Sequence, residues 1–236
     1  MKKTLLTLLL LATYAFASAE VNPLLEKARR AYANREWASA TALYGVYCDR
    51  EPGMPEAYAR RVVASELIRD TISSVDAIQE ALNAEIPPAD LFSLLSTEAF
   101  AAGEPGVVPD VLERTRRRLP WMGRPIDTAL LRYYSFRNNA PATERYARTL
   151  LAGLPDDPEY LTMLASSCMA QGKEQEALET YGRILEKNPD HFDTLVLLGT
   201  YWLEEGNKDK AREYLTRAGK VKSTPALRKM LSGLSR

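Results

Sequence analysis

Apolar and small residues along this chain return on a period near 34 residues. A short side chain stands at Ala40, Ser74, Val107, Ala142, Ala177 and Ala211, with Val107 the loosest match. From Pro158, the residues Leu161, Leu164, Ala165 and Cys168 fall at helical spacing and lead to Gly172. Ala177, Tyr181 and Ile184 then fall at helical spacing again before Pro189. From Phe192 the pattern recurs as Leu195, Leu198, Gly199, Trp202, Gly206, Ala211, Leu215 and Ala218. Each copy reads as two helices joined by a turn. One such pair cannot bury its apolar face alone, so the copies must stack.

A third clear copy starts at Val21, with Leu24, Ala28, Ala31, Trp37, Ala40, Tyr44 and Pro52 in register. Between it and Pro158, frames starting at Pro55, Pro88 and Gly123 keep Val62, Leu95 and Leu130 at the eighth position and Ile78, Val111 and Tyr146 at the twenty-fourth, while the glycines are partly lost. Small residues at the eighth and twentieth positions let the two backbones approach where the helices cross, and Tyr44, Tyr146 and Tyr181 fill the groove toward the next unit. Gly172 and Gly206 suit a left-handed residue just past a helix end. Asp157 before Pro158 reads as an N-cap with proline in the first turn, and Asp190 with Asp193 as a shortened capping box.

These residues and spacings resemble the tetratricopeptide repeat. The resemblance implies an all-α, right-handed superhelical solenoid of about six two-helix repeats. Residues 20–225 form the array, with clear repeats at 21–54, 158–191 and 192–225 and degenerate ones over 55–157. A capping helix follows at 226–236, where Leu227, Leu231 and Leu234 share one face.

Residues 1–19 carry Lys2 and Lys3, an apolar run from Leu5 to Ala12, and Ala17-Ser18-Ala19 before Glu20. These are the parts of a bacterial secretory signal peptide, too short for a membrane span. Cleavage is expected after Ala19, giving a periplasmic or secreted protein with no membrane span. An uncleaved anchor is the competing reading.

Charge narrows the partners. Lys and Arg total 31 and Asp and Glu total 31, and loss of Lys2 and Lys3 leaves the remainder slightly acidic. That balance does not suit a nucleic-acid partner. The basic run Arg114 to Arg118, with Arg124, reads as a solvated helix end more readily than as a dock for anionic lipid or an acidic partner. Cys48 and Cys168 fall in the first and fifth units, too far apart for a disulfide, so two free thiols are expected.

Catalytic chemistry has little to draw on. His191 is the single histidine, and no HExxH, phosphate-cradling glycine loop or paired-cysteine motif occurs. No enzyme activity, metal or cofactor is therefore expected. In the family resembled here, the second, fifth, sixth, ninth, twelfth and thirteenth residues of each first helix line a concave groove. Counted so, the first two units give Glu26, Arg29, Tyr32, Arg60 and Glu66. The later units give Phe92, Phe100, Leu131, Tyr134, Met163, Met169, Val196 and Leu197.

The family's clamp for a partner's terminal carboxylate is not reproduced, because Leu25 and Arg29 stand where its first Lys and Asn belong. The expected function is a non-catalytic scaffold, adaptor or assembly factor that holds a peptide or helix of another envelope protein against Phe92, Phe100, Leu131, Tyr134, Met163, Met169 and Leu197. Two alternatives stay open: self-association through the same apolar groove, and an envelope hydrolase or sugar-modifying enzyme using Asp or Glu residues, or an accessory subunit of one.

Overall fold

The protein is described by a computed structural model that covers residues 22–234. The expected signal segment therefore lies outside the described residues. Among those residues there are thirteen α-helices and no strand, and no helix is long and apolar enough to cross a membrane. Twelve helices form six hairpins: α1 (Pro23–Ala33) with α2 (Trp37–Arg50), α3 (Pro55–Leu67) with α4 (Thr71–Asn83), and α5 (Pro88–Ala102) with α6 (Val107–Arg118). After a short turn at Pro120–Met122 come α7 (Gly123–Phe136) with α8 (Ala140–Leu151), α9 (Pro158–Ala170) with α10 (Glu174–Lys187), and α11 (Phe192–Glu204) with α12 (Lys208–Val221). The last helix is α13 (Pro225–Leu234).

The helices start where the chain supplies capping chemistry. Asn22, Asp70, Asn139, Asp157 and Asn207 each accept a hydrogen bond from a first-turn N–H, and proline occupies the first turn of α1, α3, α5, α8 and α9. α11 is capped by His191, whose Nδ1 faces the Thr194 N–H at 3.4 Å and the Thr194 hydroxyl at 2.9 Å. The expected cap at Asp190 is thus displaced by one residue. Asp190 lies in the turn and donates its own N–H to Asn188 Oδ1.

The described residues form two compact units, one ending at Met122 and the other beginning at Gly123. In the second, small residues at the helix crossings bring the hairpins close. Gly199 packs so tightly on α12 that an added Cβ would lie 2.5 Å from Leu215 Cδ2. Ala165, Ala177 and Ala211 are fully buried at the matching positions. α13 closes this core with Leu227 and Leu234, and Arg212 donates to the Leu234 carbonyl at 2.7 Å. The third hairpin is built differently. Val108 is bulky where its helices would cross, and α5 packs chiefly on α3 instead of on α6.

Every turn from the first to the second helix of a hairpin passes through a left-handed residue: Arg35, Arg69, Gly103, Asn138, Gly172 and Gly206, with φ between 53° and 82°. These residues fix the register. They lie 34 residues apart except between Gly103 and Asn138, which are separated by 35. The third and fourth units therefore begin one residue later than the sequence frames at Pro88 and Gly123. Val108 and Thr143, both buried, take the crossing positions that the sequence pattern gave to Val107 and Ala142.

Candidate interaction face

The one-residue shift re-sorts the expected groove residues. Phe92 moves to a fourth position and Leu131 to an eighth, both core positions, and their exposures are 2% and 0%. Neither contributes to a surface, which corrects the expectation for both. Tyr134 is half-buried and stacks on Tyr146 of α8, with centroids 5.7 Å apart and planes within 9°, so it fastens a hairpin together. Phe100, in the first unit, is half-buried on α5.

Met163 and Met169 on α9 and Leu197 on α11 do face outward, half-buried or exposed. Leu197 retains 39% of its surface. In the corrected register Ala129, Met163 and Leu197 occupy the sixth position on α7, α9 and α11. Phe136, Met169 and Leu203 occupy the twelfth or thirteenth. Phe136, 73% exposed, is the large apolar residue that the sequence frame missed, and only the position of Asn138 reveals its place.

Hydroxyls separate the two apolar rows, and most already have partners inside the fold. Thr162 donates to the Pro158 carbonyl at 2.7 Å, Ser166 meets the Tyr181 hydroxyl at 3.0 Å, and Thr128 bonds the Arg124 carbonyl and the Tyr160 hydroxyl. Arg132 of α7 pairs with Glu159 of α9 at 2.9 Å. Charge on this face is graded: Arg124 and Arg132 lie on α7, and Asp193 and Glu204 on α11, with Glu205 just past its end.

The corresponding face of the first unit is occupied by ions. Arg29 contacts Glu26 at 3.3 Å and Glu56 at 3.5 Å, and Arg60 contacts Glu56 at 2.6 Å and Glu98 at 3.1 Å. Arg60 also donates to the Tyr44 hydroxyl at 3.4 Å and lies over the Tyr32 ring. This alternating chain ties α1, α3 and α5 together. The basic run of α6 is likewise used internally: Arg114 pairs with Glu66, Arg116 with Glu113 and Arg118 with Asp76.

A further cluster brings Glu144, Cys168 and Glu176 within 4.8 Å of one another. Its carboxylates are already neutralised. Lys173 reaches Glu144 at 2.6 Å, and Arg148 bridges Glu144 and Glu176 at 2.8 and 2.5 Å. Hydrogen bonds from Lys173 and Arg148 hold the Glu144 carboxyl down at about 2. Burial pushes the Cys168 thiol above its ordinary range and the Cys48 thiol up to about 12, and both cysteines are free and buried. The cluster is an ion-pair knot that joins α8 to α10.

Comparison with known proteins agrees with this architecture. Residues 168–234 match the tetratricopeptide repeat family model. In fold, the chain is similar to a tetratricopeptide repeat protein from Parabacteroides merdae, with 12% identity, a TM-score of 0.52, and 95% of this chain and 90% of that one covered. It is also similar to the C-terminal part of a TPR repeat-containing protein from Cytophaga hutchinsonii, with 14% identity, a TM-score of 0.48, and 82% and 77% of the two chains covered. No curated protein matches the sequence. The six hairpins and their left-handed turns give the described residues the fold of a tetratricopeptide-repeat array, and residues 168–234 carry the family's sequence pattern.

Proposed function

We propose that the protein is a non-catalytic scaffold or assembly factor of the bacterial periplasm, which holds a segment of another envelope protein on the outward face of α7, α9 and α11. The observation that carries this reading is the recurrence of partly accessible apolar side chains at the sixth position of the three helices, Ala129, Met163 and Leu197, with Phe136 exposed further along α7. Recurring apolar surface of this kind marks an interaction site, and methionine adapts to partners of different shape. The N-terminal Lys2-Lys3, apolar run and Ala17-Ser18-Ala19 support export.

Two measurements test the proposal. N-terminal sequencing of the protein from a periplasmic fraction should begin at Glu20, whereas an intact Met1 in the cytosol would refute the location. A photo-crosslinker at Leu197 should trap one or a few envelope proteins, and Met163→Asp should abolish the adducts. Unchanged adducts in that variant would refute the face. A crosslinked species of twice the chain mass would instead indicate self-association.

A further inference from the structure

Charge is distributed unevenly over the second unit, and the face on α7, α9 and α11 does not account for it. Residues 207–234 carry eight basic side chains against two acidic ones, in a chain whose basic and acidic totals are equal at 31. Residues 156–205 hold three basic side chains against eleven acidic ones. The two acids of the terminal segment are already used. Asp209 pairs with Arg212 at 3.2 Å and Glu213 with Arg217 at 3.9 Å. Lys208, Lys220, Lys222, Arg228 and Lys229 are exposed and pair with no carboxylate among the described residues. Lys222 lies 5.8 Å over the Phe192 ring and Arg228 donates to the Ser223 hydroxyl at 3.0 Å, contacts that leave both charges in place.

Packing gathers four of these cations. Gly219, in the last turn of α12, faces α13 so closely that an added Cβ would lie 3.7 Å from Leu227 and 3.8 Å from Leu231. The end of α12 and the start of α13 therefore touch. Lys220, Lys222, Arg228 and Lys229 surround that junction, and Val221 between the first two is 43% exposed. Helix stability does not ask for this arrangement. Lys220 suits the dipole at the end of α12, but α13 has no acid in its first turn and places Arg228 there, against its dipole. Four cations at one corner also repel one another, a cost that an external anion removes.

The residue types favour an extended anionic surface over a single carboxylate or phosphate. Lysine is a mobile, strongly hydrated point charge that sums its attraction over many headgroups, whereas discrete anions suit the planar fork of arginine. Five of the chain's ten lysines lie in this segment, while the ion pairs of the first unit are made by arginine. Val221 adds apolar contact of the kind that surface-bound segments place at the headgroup boundary.

We propose that the corner where α12 meets α13 docks the protein on a bilayer surface of anionic phospholipid, through Lys220, Lys222, Arg228 and Lys229. The binding is peripheral, and it is independent of what the face on α7, α9 and α11 holds.

Co-sedimentation tests this with the mature chain, which lacks the leader's own lysines and apolar run, and two kinds of vesicle. One is phosphatidylcholine alone and the other an equal mixture with phosphatidylglycerol. The chain should bind only the mixed vesicles, and should leave them as salt shortens the screening length from about 10 Å at 0.1 M to about 3 Å at 1 M. Lys220→Gln/Lys222→Gln/Lys229→Gln should weaken binding about a hundredfold, at roughly fivefold per charge. Arginine at the same three positions should bind like the native chain. Lys27→Gln/Arg30→Gln/Arg117→Gln, which removes as many exposed charges elsewhere, should cost less than about fivefold. Circular dichroism checks that each variant is folded.

Equal binding to both vesicles, or binding to neither, overturns the proposal. An equal loss in the second glutamine variant also overturns it, because net charge and not this corner would then be responsible. Tighter binding to duplex DNA or polyglutamate than to the mixed vesicles, at matched charge concentration, would assign the corner to another polyanion and overturn the bilayer.

Discussion

The two units of this molecule use the same backbone pattern to opposite ends. On the first, the outward positions of α1 and α3 carry Glu26, Arg29, Glu56 and Arg60, which with Glu98 of α5 form an ion chain that satisfies itself. On the second, the sixth positions of α9 and α11, which match those of Glu26 and Arg60, carry Met163 and Leu197. Charges paired within the fold leave little for a partner to gain, whereas half-exposed apolar groups still gain when water is removed. The turns differ in the same sense. The first unit places Arg35 and Arg69 as well as Gly103 in left-handed turns, whereas the second uses only Asn138, Gly172 and Gly206 in its hairpin turns, residue types that tolerate that conformation.

The largest effect that would sharpen this contrast belongs to the tight packing of the second unit. Gly199→Val must displace Leu215 and should cost about 3 kcal/mol or more of stability in urea unfolding. A loss below 1 kcal/mol, by the same scale, would mean that the α11 and α12 crossing is loose. In the first unit, Arg60→Met strands Glu98 in a largely buried site and should cost about 2 kcal/mol, because a buried carboxylate without its partner is more expensive than no carboxylate. Adding Glu98→Leu should recover most of that loss in a double-mutant cycle. Without recovery, the ion chain would not be holding α3 and α5 together.

Backbone strain gives the next effect. Arg35→Gly and Arg69→Gly should each stabilise by about 0.5–1 kcal/mol, while Gly172→Ala should destabilise by about 1 kcal/mol. No gain from either arginine substitution would mean that these turns carry no strain and would remove the difference between the turns of the two units. Acid exposes a contribution confined to the second unit. The Glu144 carboxyl titrates lower in the folded chain than in the unfolded one, so its stabilisation is present above about pH 4.3 and is lost as pH falls toward 2. Glu144→Gln should flatten that limb of the pH–stability curve. The smallest effect is the one on which the function rests: Leu197→Asp should change stability by less than about 0.5 kcal/mol, since the side chain already meets water.

The C-terminal repeats were legible because their residues perform the packing roles directly: Ala165, Ala177, Gly199 and Ala211 are the crossing residues, and Gly172 and Gly206 the turns. The middle was harder to read for a physical reason. Where Val108 replaces a small residue and Gly103 and Asn138 lie 35 apart, sequence spacing no longer marks the inward side, and a slip of one residue rotates a helix by about 100°. That rotation put Phe92 and Leu131 on the expected surface and left Phe136 off it. Met163, Met169 and Leu197 keep part of their surface accessible, in units whose register follows the sequence spacing.

The sequence by itself determined the all-α repeat fold, because a period near 34 with small residues at the helix crossings admits stacked hairpins and little else. It also determined that the chain carries few of the groups on which catalysis depends. Only the tertiary structure decided which charges are already paired and which apolar side chains remain accessible. Pairings such as Arg60 with Glu98 and Arg114 with Glu66 join residues 38 and 48 positions apart, and no local pattern encodes which face of one helix meets another. The proposed interaction face lies among the apolar side chains that those long-range contacts leave accessible.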